Sequence, residues 1–261
     1  MVLVVAALAE EAKVVLESAS QVRRIVGAAG LLEARRGGQQ FRLLRCGVGP
    51  KVAATRLADV LKHVRPSLLL IIGYAGALKR GLELGELVAI DRSSLLGRLR
   101  PEVLTAEDSV CQGSWELRAS RRLAQIAAAA GLSIRRSEGL TSYDVVGDPF
   151  HKELLYRQFG AGVVDMETAA LAREAESGGI PAACVRAITD PADDKFLKPF
   201  SFRSRAERIT AHVNSLATGK FFCNLQEWNE RTSIARQSLR RFLDVYFQAS
   251  TSSSGPNCQS C

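Results

Sequence analysis

The chain alternates between short apolar runs and stretches with helical periodicity. VLVVAA at residues 2–7 is a continuous apolar run of buried-strand length, and the AEEAKVVLESA that follows has helix-forming composition. A second strand is expected near residues 41–46, followed by the turn GVGP and a helix with Pro50 in its first turn, where proline is tolerated. Strand followed by helix is therefore the repeating unit of the N-terminal part.

The same alternation continues towards the C-terminus. PSLLLIIGYAGAL has no polar alternation, which is typical of a strand covered on both faces. A strand is predicted at residues 85–92, an Ala-rich helix at 116–130 closed by Gly131, and a strand then a helix in GAGVVDMETAALAREAESGG. IPAACVRAITD is predicted to be a buried strand that ends at an acid, and residues 204–218 are predicted to be helical.

This order of elements predicts an α/β fold with a mostly parallel or mixed sheet and helices on both faces. We expect one α/β domain at residues 1–220, an amphipathic helix at 221–247, and a small, polar, disordered tail at 248–261. The apolar face of the helix includes Trp228 and Phe242. It is expected to pack on its own domain or on a sister subunit, with a membrane surface or another partner as the alternative.

Composition narrows the class of protein. The chain has 261 residues, of which 47% are hydrophobic and 24% charged, as in globular proteins. Apolar runs all fall short of the ~20 residues of a spanning helix, and the opening segment lacks the pattern of a secretory signal. Six scattered cysteines and three histidines make a metal site unexpected and favour a reducing cytoplasm.

The net charge of +8 raises the question of a polyanionic partner. The arginines are mostly in pairs between apolar segments, without interleaved aromatic residues, so a solvated surface is favoured over nucleic-acid binding. Stable membrane association is not expected either.

Acidic residues stand where strands give way to turns or helices. They are Glu10 and Glu11, Asp165 with Glu167, and Asp190. Carboxylates at converging strand ends can hold ribose hydroxyls, orient water or transfer a proton, and open α/β sheets bind ligands at this edge. Acids in the first turn of a helix also complement its dipole, so position alone leaves both interpretations open.

The motifs around these acids are more specific than the acids alone. AEE after the first strand, GVGPKVAA, IIGYAGALKRGLELGELVAID, VVDMETAALA and VRAITD follow one another in the order and spacing of the nucleoside phosphorylase and nucleosidase superfamily. The chain most resembles the 5′-methylthioadenosine/S-adenosylhomocysteine nucleosidases, over about residues 1–218. The resemblance implies a three-layer α/β/α sandwich around a mixed, partly barrel-like central sheet.

The resemblance also implies roles for individual residues. Glu167 would bind the ribose hydroxyls, with Met166 packed against the sugar. Asp190 would protonate the imidazole-ring nitrogen of the leaving purine, as general acid catalysis requires. Glu11 matches the position of the family's water-binding glutamate, and its neighbour Glu10 is the second candidate. A cofactor is not implied.

Two segments depart from the family pattern. The glycine turn that usually reads Gly-Ser-Ala-Gly is GYAG here, so that Tyr74 replaces a small hydroxyl two residues before Gly76. In SYDVV, residues 142–146, Val146 replaces the aromatic residue that stacks on the purine. Tyr74, Gly76 and Val146 are therefore expected to contact the substrate.

Hydrolysis is favoured over phosphorolysis. A phosphate dianion needs arginine and hydroxyl or backbone donors, but the positions where bacterial hexameric phosphorylases supply Arg and Ser hold Ile71 and Tyr74. A carboxylate at Glu11 would repel phosphate and accept a proton from water instead.

The sequence thus predicts a purine nucleosidase that hydrolyses the N-ribosyl bond of an adenosine derivative, such as 5′-methylthioadenosine or S-adenosylhomocysteine. The alternatives are a purine or ribosyl nucleoside phosphorylase, including one for hopanoid- or menaquinone-pathway nucleosides, and a non-catalytic nucleoside-binding protein. We expect a small-molecule nucleoside as partner, a homodimer or higher homo-oligomer, and a cytoplasmic location.

Overall fold

The structure, a computed structural model, describes residues 1–25, 30–97, 110–195 and 220–252. Ten strands of these residues form one sheet: β1 Val2–Ala6, β2 Ser20–Arg24, β3 Leu31–Arg36, β4 Gln39–Arg45, β5 Leu68–Ala77, β6 Leu87–Leu96, β7 Cys111–Glu116, β8 Arg135–Thr141, β9 Val163–Asp165 and β10 Ala182–Asp190. The helices of the described ranges are α1 Ala9–Leu16, α2 Pro50–Leu61, α3 Ser120–Ala129, α4 Pro149–Phe159, α5 Thr168–Ser177 and α6 Lys220–Ser252.

Half of the sheet closes on itself as a small mixed barrel. β5 pairs in parallel with β10, β10 antiparallel with β6, β6 in parallel with β8, β8 in parallel with β9, and β9 antiparallel with β5. The other strands extend from this ring, as β1, β4, β3 and β2 on one side and β7 beside β6. The mixed, partly barrel-like sheet predicted from the sequence is confirmed.

Helices cover the sheet on two sides, so that β5 and β10 are buried along almost their whole length. On one side, Leu57 of α2 and Leu171 of α5 share a buried cluster with Ile71 of β5. On the other side, α1, α3 and α6 contribute to a second cluster, in which Phe242 of α6 accompanies Ile72 of β5. Neighbouring residues of β5 thus face opposite layers, and the predicted three-layer sandwich is confirmed.

Some local predictions are wrong. GYAG, predicted as a turn, lies inside β5, which continues to Ala77. The helix predicted from residue 116 begins at Ser120, because Glu116 ends strand β7. Neither β7 nor β2 is predicted by the pattern, since both are edge strands with polar, largely exposed side chains and no apolar repeat. The helix predicted at residues 204–218 lies outside the described residues.

The C-terminal helix packs on its own domain, which is one of the two arrangements that the sequence analysis favours over a membrane surface or another partner. Its buried face joins the cluster beneath α1 and α3, and buried Arg36 of β3 forms a 2.7 Å ion pair with Asp244 of the helix. The helix continues to Ser252, beyond the predicted end at 247, and residues 253–261 of the predicted tail are not described. Over the described ranges, helices that could cross a membrane are absent.

The packing of this helix gives a stability prediction. Phe242 is fully buried, whereas Ile234 on the same helix is 45% exposed. Phe242→Ala should lower the free energy of unfolding by about 3–5 kcal/mol, because it leaves a cavity in the core. Ile234→Ala, the matched control, should change it by less than about 1 kcal/mol. Urea unfolding measures both, and equal losses would contradict the observed packing.

Candidate active site

A cavity of about 370 Å³ opens at the carboxyl ends of β1, β5, β9 and β10. Such edges collect the loops that follow the strands, so that residues distant in sequence converge there. All seven residues that the sequence analysis selects line this cavity: Glu11, Tyr74, Gly76, Val146, Met166, Glu167 and Asp190. The structure therefore brings the predicted residues together, while their individual roles remain predictions.

Glu11 lies in the first turn of α1 with its carboxylate folded back onto the backbone. Oε2 accepts hydrogen bonds from the N–H groups of Ala7 and Leu8, both at 2.8 Å. Oε1 accepts one from the N–H of Tyr74 at 2.9 Å. Burial raises the pKa of Glu11, while Arg186 and the three N–H donors lower it. Glu10, the second candidate, also lines the cavity but is exposed.

Two glycines of the GYAG segment make room for two of the carboxylates. A Cβ on Gly73 would stand 2.5 Å from Oε1 of Glu11 and closer still to the guanidinium of Arg186. A Cβ on Gly76 would stand 2.7 Å from Oδ2 of Asp190. The glycines of this strand are therefore explained by the close approach of charged groups.

Asp165 organises the start of α5. Its Oδ1 accepts hydrogen bonds from the N–H groups of Glu167 and Thr168, at 3.1 and 3.0 Å, and from the Thr141 hydroxyl at 2.8 Å. Oδ2 accepts from Nε of Arg186 at 3.0 Å. With its hydrogen-bonding capacity used by the protein itself, Asp165 serves to hold the following turn in place.

Glu167 faces the cavity from that turn. Its Oε1 accepts a hydrogen bond from the N–H of Gly49 at 2.9 Å, which connects the GVGP segment to the site. Its Oε2 is 3.6 Å from Nη2 of Arg186. Burial raises the pKa of Glu167 to about 8 against the lowering effect of Arg186, and the charges of Asp165 and Glu11 raise it further. The carboxyl group thus holds its proton more tightly than an exposed glutamate does.

This raised pKa predicts a dependence of stability on pH. The native protein binds the Glu167 proton more tightly than the unfolded chain, so the stabilisation is complete below a pH of about 4.5 and is lost as the pH rises to about 8. One such group accounts for at most about 1.4 kcal/mol per pH unit. Urea unfolding of the ligand-free protein should show that the free energy of unfolding falls across this pH range. In Glu167→Gln this fall should be smaller. An equally steep loss in Glu167→Gln would contradict the assignment.

Arg186, which the sequence analysis does not select, is a buried cation of the site. Its side chain is 1% exposed and lies among Asp165, Glu167 and Glu11, and Thr168 accepts a hydrogen bond from its Nη2 at 2.8 Å. The signal was present in the sequence, because a single arginine interrupts the apolar strand IPAACVRAITD. A charge in a buried strand must be paired, which places acids nearby.

Asp190 ends β10 and lines the cavity. Its Oδ2 is 2.9 Å from Nζ of Lys152, and its Oδ1 accepts a hydrogen bond from the Thr189 hydroxyl at 3.0 Å. Burial raises the pKa of Asp190, while Lys152 lowers it. A carboxyl group in this environment can carry a proton towards a bound molecule. Lys152 belongs to α4, a helix that the sequence analysis does not predict.

The apolar wall includes Tyr74 and Trp228 of α6, whose rings meet edge to face with centroids 6.4 Å apart. The Tyr74 hydroxyl is buried without a hydrogen-bond partner in the part of the chain that the structure describes. Tyr74 therefore contributes its backbone N–H to Glu11 and its ring to the wall. The described side chains contain no cluster of three or more His, Cys, Asp or Glu residues suited to a metal ion.

Comparisons with known proteins point to one family. The sequence matches the family described as the phosphorylase superfamily over residues 1–218. It is 28% identical over 207 residues to the 5′-methylthioadenosine/S-adenosylhomocysteine nucleosidase of Haemophilus influenzae strain PittEE. The aligned region covers 74% of this chain and 86% of that protein.

Solved structures with the same fold carry related names. The 5′-methylthioadenosine/S-adenosylhomocysteine nucleosidase from Neisseria meningitidis, in complex with methylthio-immucillin-A, superposes with a TM-score of 0.72 at 17% identity, over 95% of this chain and 98% of that one. Futalosine hydrolase of Helicobacter pylori strain 26695 superposes with a TM-score of 0.69 at 16% identity, over 94% and 95% of the two chains. At these identities the superpositions show a shared fold.

Proposed function

Because this chain belongs to the phosphorylase superfamily, we propose that it is a purine nucleosidase, which hydrolyses the N-ribosyl bond of an adenosine derivative such as 5′-methylthioadenosine or S-adenosylhomocysteine. The names of the relatives and of the solved structures support this substrate class. A homo-oligomeric state and a cytoplasmic location remain part of the proposal.

The acidic lining of the cavity is the observation that favours water over phosphate as the nucleophile. The described residues that line it include six acids and no lysine or arginine: Glu10, Glu11, Asp144, Asp165, Glu167 and Asp190. The neighbouring guanidinium of Arg186 is already bound by Asp165 and Thr168. Among these described residues a phosphate dianion would find no free cationic donor, whereas sites that bind phosphate supply such donors.

Glu11 is suited to hold and deprotonate the attacking water. A carboxylate has about four acceptor positions, and the backbone N–H groups occupy two on Oε2 and one on Oε1. One position on Oε1 remains for a water molecule. The surrounding N–H donors and Arg186 favour the ionised form that a general base needs, in opposition to burial.

Glu167 is suited to hold the ribose. Cleavage of a glycosidic bond develops positive charge on the sugar ring, and the hydroxyl groups of the sugar can donate to the oxygens of Glu167. A nearby cation lowers the pKa of a carboxyl group, so the developing sugar cation favours the ionised form of Glu167, which holds its proton up to a pH of about 8 in the ligand-free protein. Asp190 is suited to protonate the leaving purine, because burial raises its pKa.

The ribose assignment gives a prediction about substrate discrimination. Glu167→Gln should weaken transition-state binding of ribosides by roughly 1.5–3 kcal/mol, the contribution of a hydrogen bond to a charged group. Their advantage over 2′-deoxyribosides, which keep only the 3′-hydroxyl, should narrow. Steady-state kcat/KM for both substrates measures this change. An unaltered ratio between riboside and deoxyriboside would contradict the role of Glu167.

The substrate class is tested by incubating the full chain with a panel of purine ribosides that differ at the 5′ position and measuring release of the free base. Adenosine derivatives should be cleaved, and pyrimidine ribosides, which lack an imidazole ring for Asp190 to protonate, should serve as the negative control. If the protein binds purine ribosides but cleaves none of the panel, it is a nucleoside-binding protein instead.

A further inference from the structure

Lys152 of α4 is a fully buried lysine beside the proposed general acid. Its side chain is 0% exposed, and lysine is rarely buried unless it is paired. Nζ is 2.9 Å from Oδ2 of Asp190 and donates to the carbonyl oxygens of Pro191 and Asp194, at 2.7 and 3.3 Å. All these partners lie in the segment 190–194 that follows β10.

Anchoring of this segment does not by itself explain the lysine, because a second cation already anchors it. Nη1 of Arg231, on α6, donates to the carbonyl oxygen of Thr189 at 3.3 Å and to Oδ2 of Asp194 at 2.8 Å. What distinguishes Lys152 is its contact with the carboxylate of Asp190.

This contact makes the two oxygens of Asp190 unequal. An ammonium group only donates hydrogen bonds, so Oδ2, which it binds, remains an acceptor. Oδ1 is bound by the Thr189 hydroxyl, which has an alternative acceptor in the carbonyl oxygen of Ala75 at 3.4 Å. The hydroxyl can therefore turn away when Oδ1 carries a proton.

We propose that Lys152 is the positioning residue of the general acid: it reserves Oδ2 of Asp190 as an acceptor and thereby places the transferable proton on Oδ1. The proposal rests on the proposed nucleosidase function. As the bond between the sugar and the base breaks, its electron pair leaves with the base and the Oδ1 proton passes to the base nitrogen. Water forms the new bond to the sugar and gives its proton to Glu11. The carboxylate left at Asp190 is then stabilised by the ammonium group.

Charge also links Lys152 to the strength of the acid. The groups that face Asp190 are Lys152 from α4 and Arg231 from α6, which both lower its pKa, and the Thr189 hydroxyl, while burial raises it. The other acids that line the cavity are Glu10, Glu11, Asp144, Asp165 and Glu167. A general acid works best with a pKa near the working pH, so the opposition between burial and Lys152 favours transfer.

The test compares Lys152→Met with Arg231→Met, the matched control that removes a cation from the same segment without touching the Asp190 carboxylate. Two substrates are used: an adenosine derivative, and 4-nitrophenyl riboside, whose leaving group departs without a proton. Lys152→Met should lose ~10²-fold or more on the nucleoside and stay within a few-fold of wild type on the nitrophenyl riboside. Arg231→Met, which removes a cation that lowers the pKa of Asp190 without contacting its carboxylate, should lose far less than Lys152→Met on the nucleoside and stay within a few-fold of wild type on the nitrophenyl riboside.

The pH profile gives the second readout. The activity on the nucleoside falls at alkaline pH as Asp190 loses its proton, and Lys152→Met should move this limb of kcat/KM upwards by about one pH unit or more. If Lys152→Met does not fold, the readout is the alkaline limb of Lys152→Gln, which should also move upwards, because its amide still donates hydrogen bonds but carries no charge.

If Lys152→Met loses activity equally on both substrates and the alkaline limb of its kcat/KM profile does not move, the lysine is purely structural and the inference is overturned. A variant indistinguishable from wild type would also overturn it. A wild-type protein that cleaves neither substrate would overturn the proposed function itself and this inference with it.

Discussion

Glu11→Gln is expected to reduce hydrolysis by ~10²- to 10⁴-fold, the range of general base contributions, while an uncleaved nucleoside analogue still binds nearly as tightly. The amide fills the same space at the end of α1 but cannot accept the proton that the attacking water must lose. Its NH₂ group would also face backbone N–H donors that now bind the carboxylate. Single-turnover rates, measured together with equilibrium binding of the analogue, separate the chemical step from binding.

Glu10→Gln is the control for this variant, because Glu10 lines the same cavity one residue earlier but is exposed. It should keep most of the activity. The reverse result, an active Glu11→Gln with an inactive Glu10→Gln, would transfer the role to Glu10. If both variants stay active, neither Glu10 nor Glu11 is the general base that deprotonates the attacking water.

Asp190→Asn should lose ~10²- to 10⁴-fold on an adenosine derivative, because an amide has no acidic proton for the leaving base. Lys152 would then face a neutral partner at the position of Oδ2. The loss should be far smaller on 4-nitrophenyl riboside, because its leaving group, 4-nitrophenolate, departs without protonation. The ratio of kcat/KM for the two substrates measures the effect.

Asp193→Asn is the matched control, a surface aspartate three residues away whose side chain is 67% exposed. It should change neither rate. An Asp190→Asn variant that keeps more than about a tenth of the wild-type rate on the nucleoside would remove Asp190 from the role of general acid.

The sequence predicts the fold because its central strands carry a clear signal. β5 and β10 are covered by helices on both sides, so their residues are mostly apolar and do not alternate with polar ones. Edge strands carry no such signal, which is why β2, with its exposed polar side chains, was missed. The convergence of Glu11, Glu167 and Asp190 was also predictable, since all three follow strands whose carboxyl ends meet.

The cations of the site were harder to predict. Arg186 could have been found, because an isolated charge in a buried strand requires a partner. Lys152 could not, since its burial depends on a segment about forty residues later in the chain, and KELLYRQ has the composition of an ordinary surface helix. Tyr74 was predicted to contact substrate in place of a hydroxyl. Its ring lines the cavity, and its backbone N–H, which any residue but proline could supply, holds Glu11.

The central claim is that water, and not phosphate, attacks the sugar in a cavity lined by carboxylates. It is tested most directly by identifying the sugar product of the wild-type protein by mass spectrometry, with an adenosine derivative as substrate in the presence of saturating phosphate. We predict free ribose or 5′-substituted ribose, formed at the same rate with and without phosphate. Accumulation of a ribose 1-phosphate, with turnover that depends on phosphate, would contradict the claim.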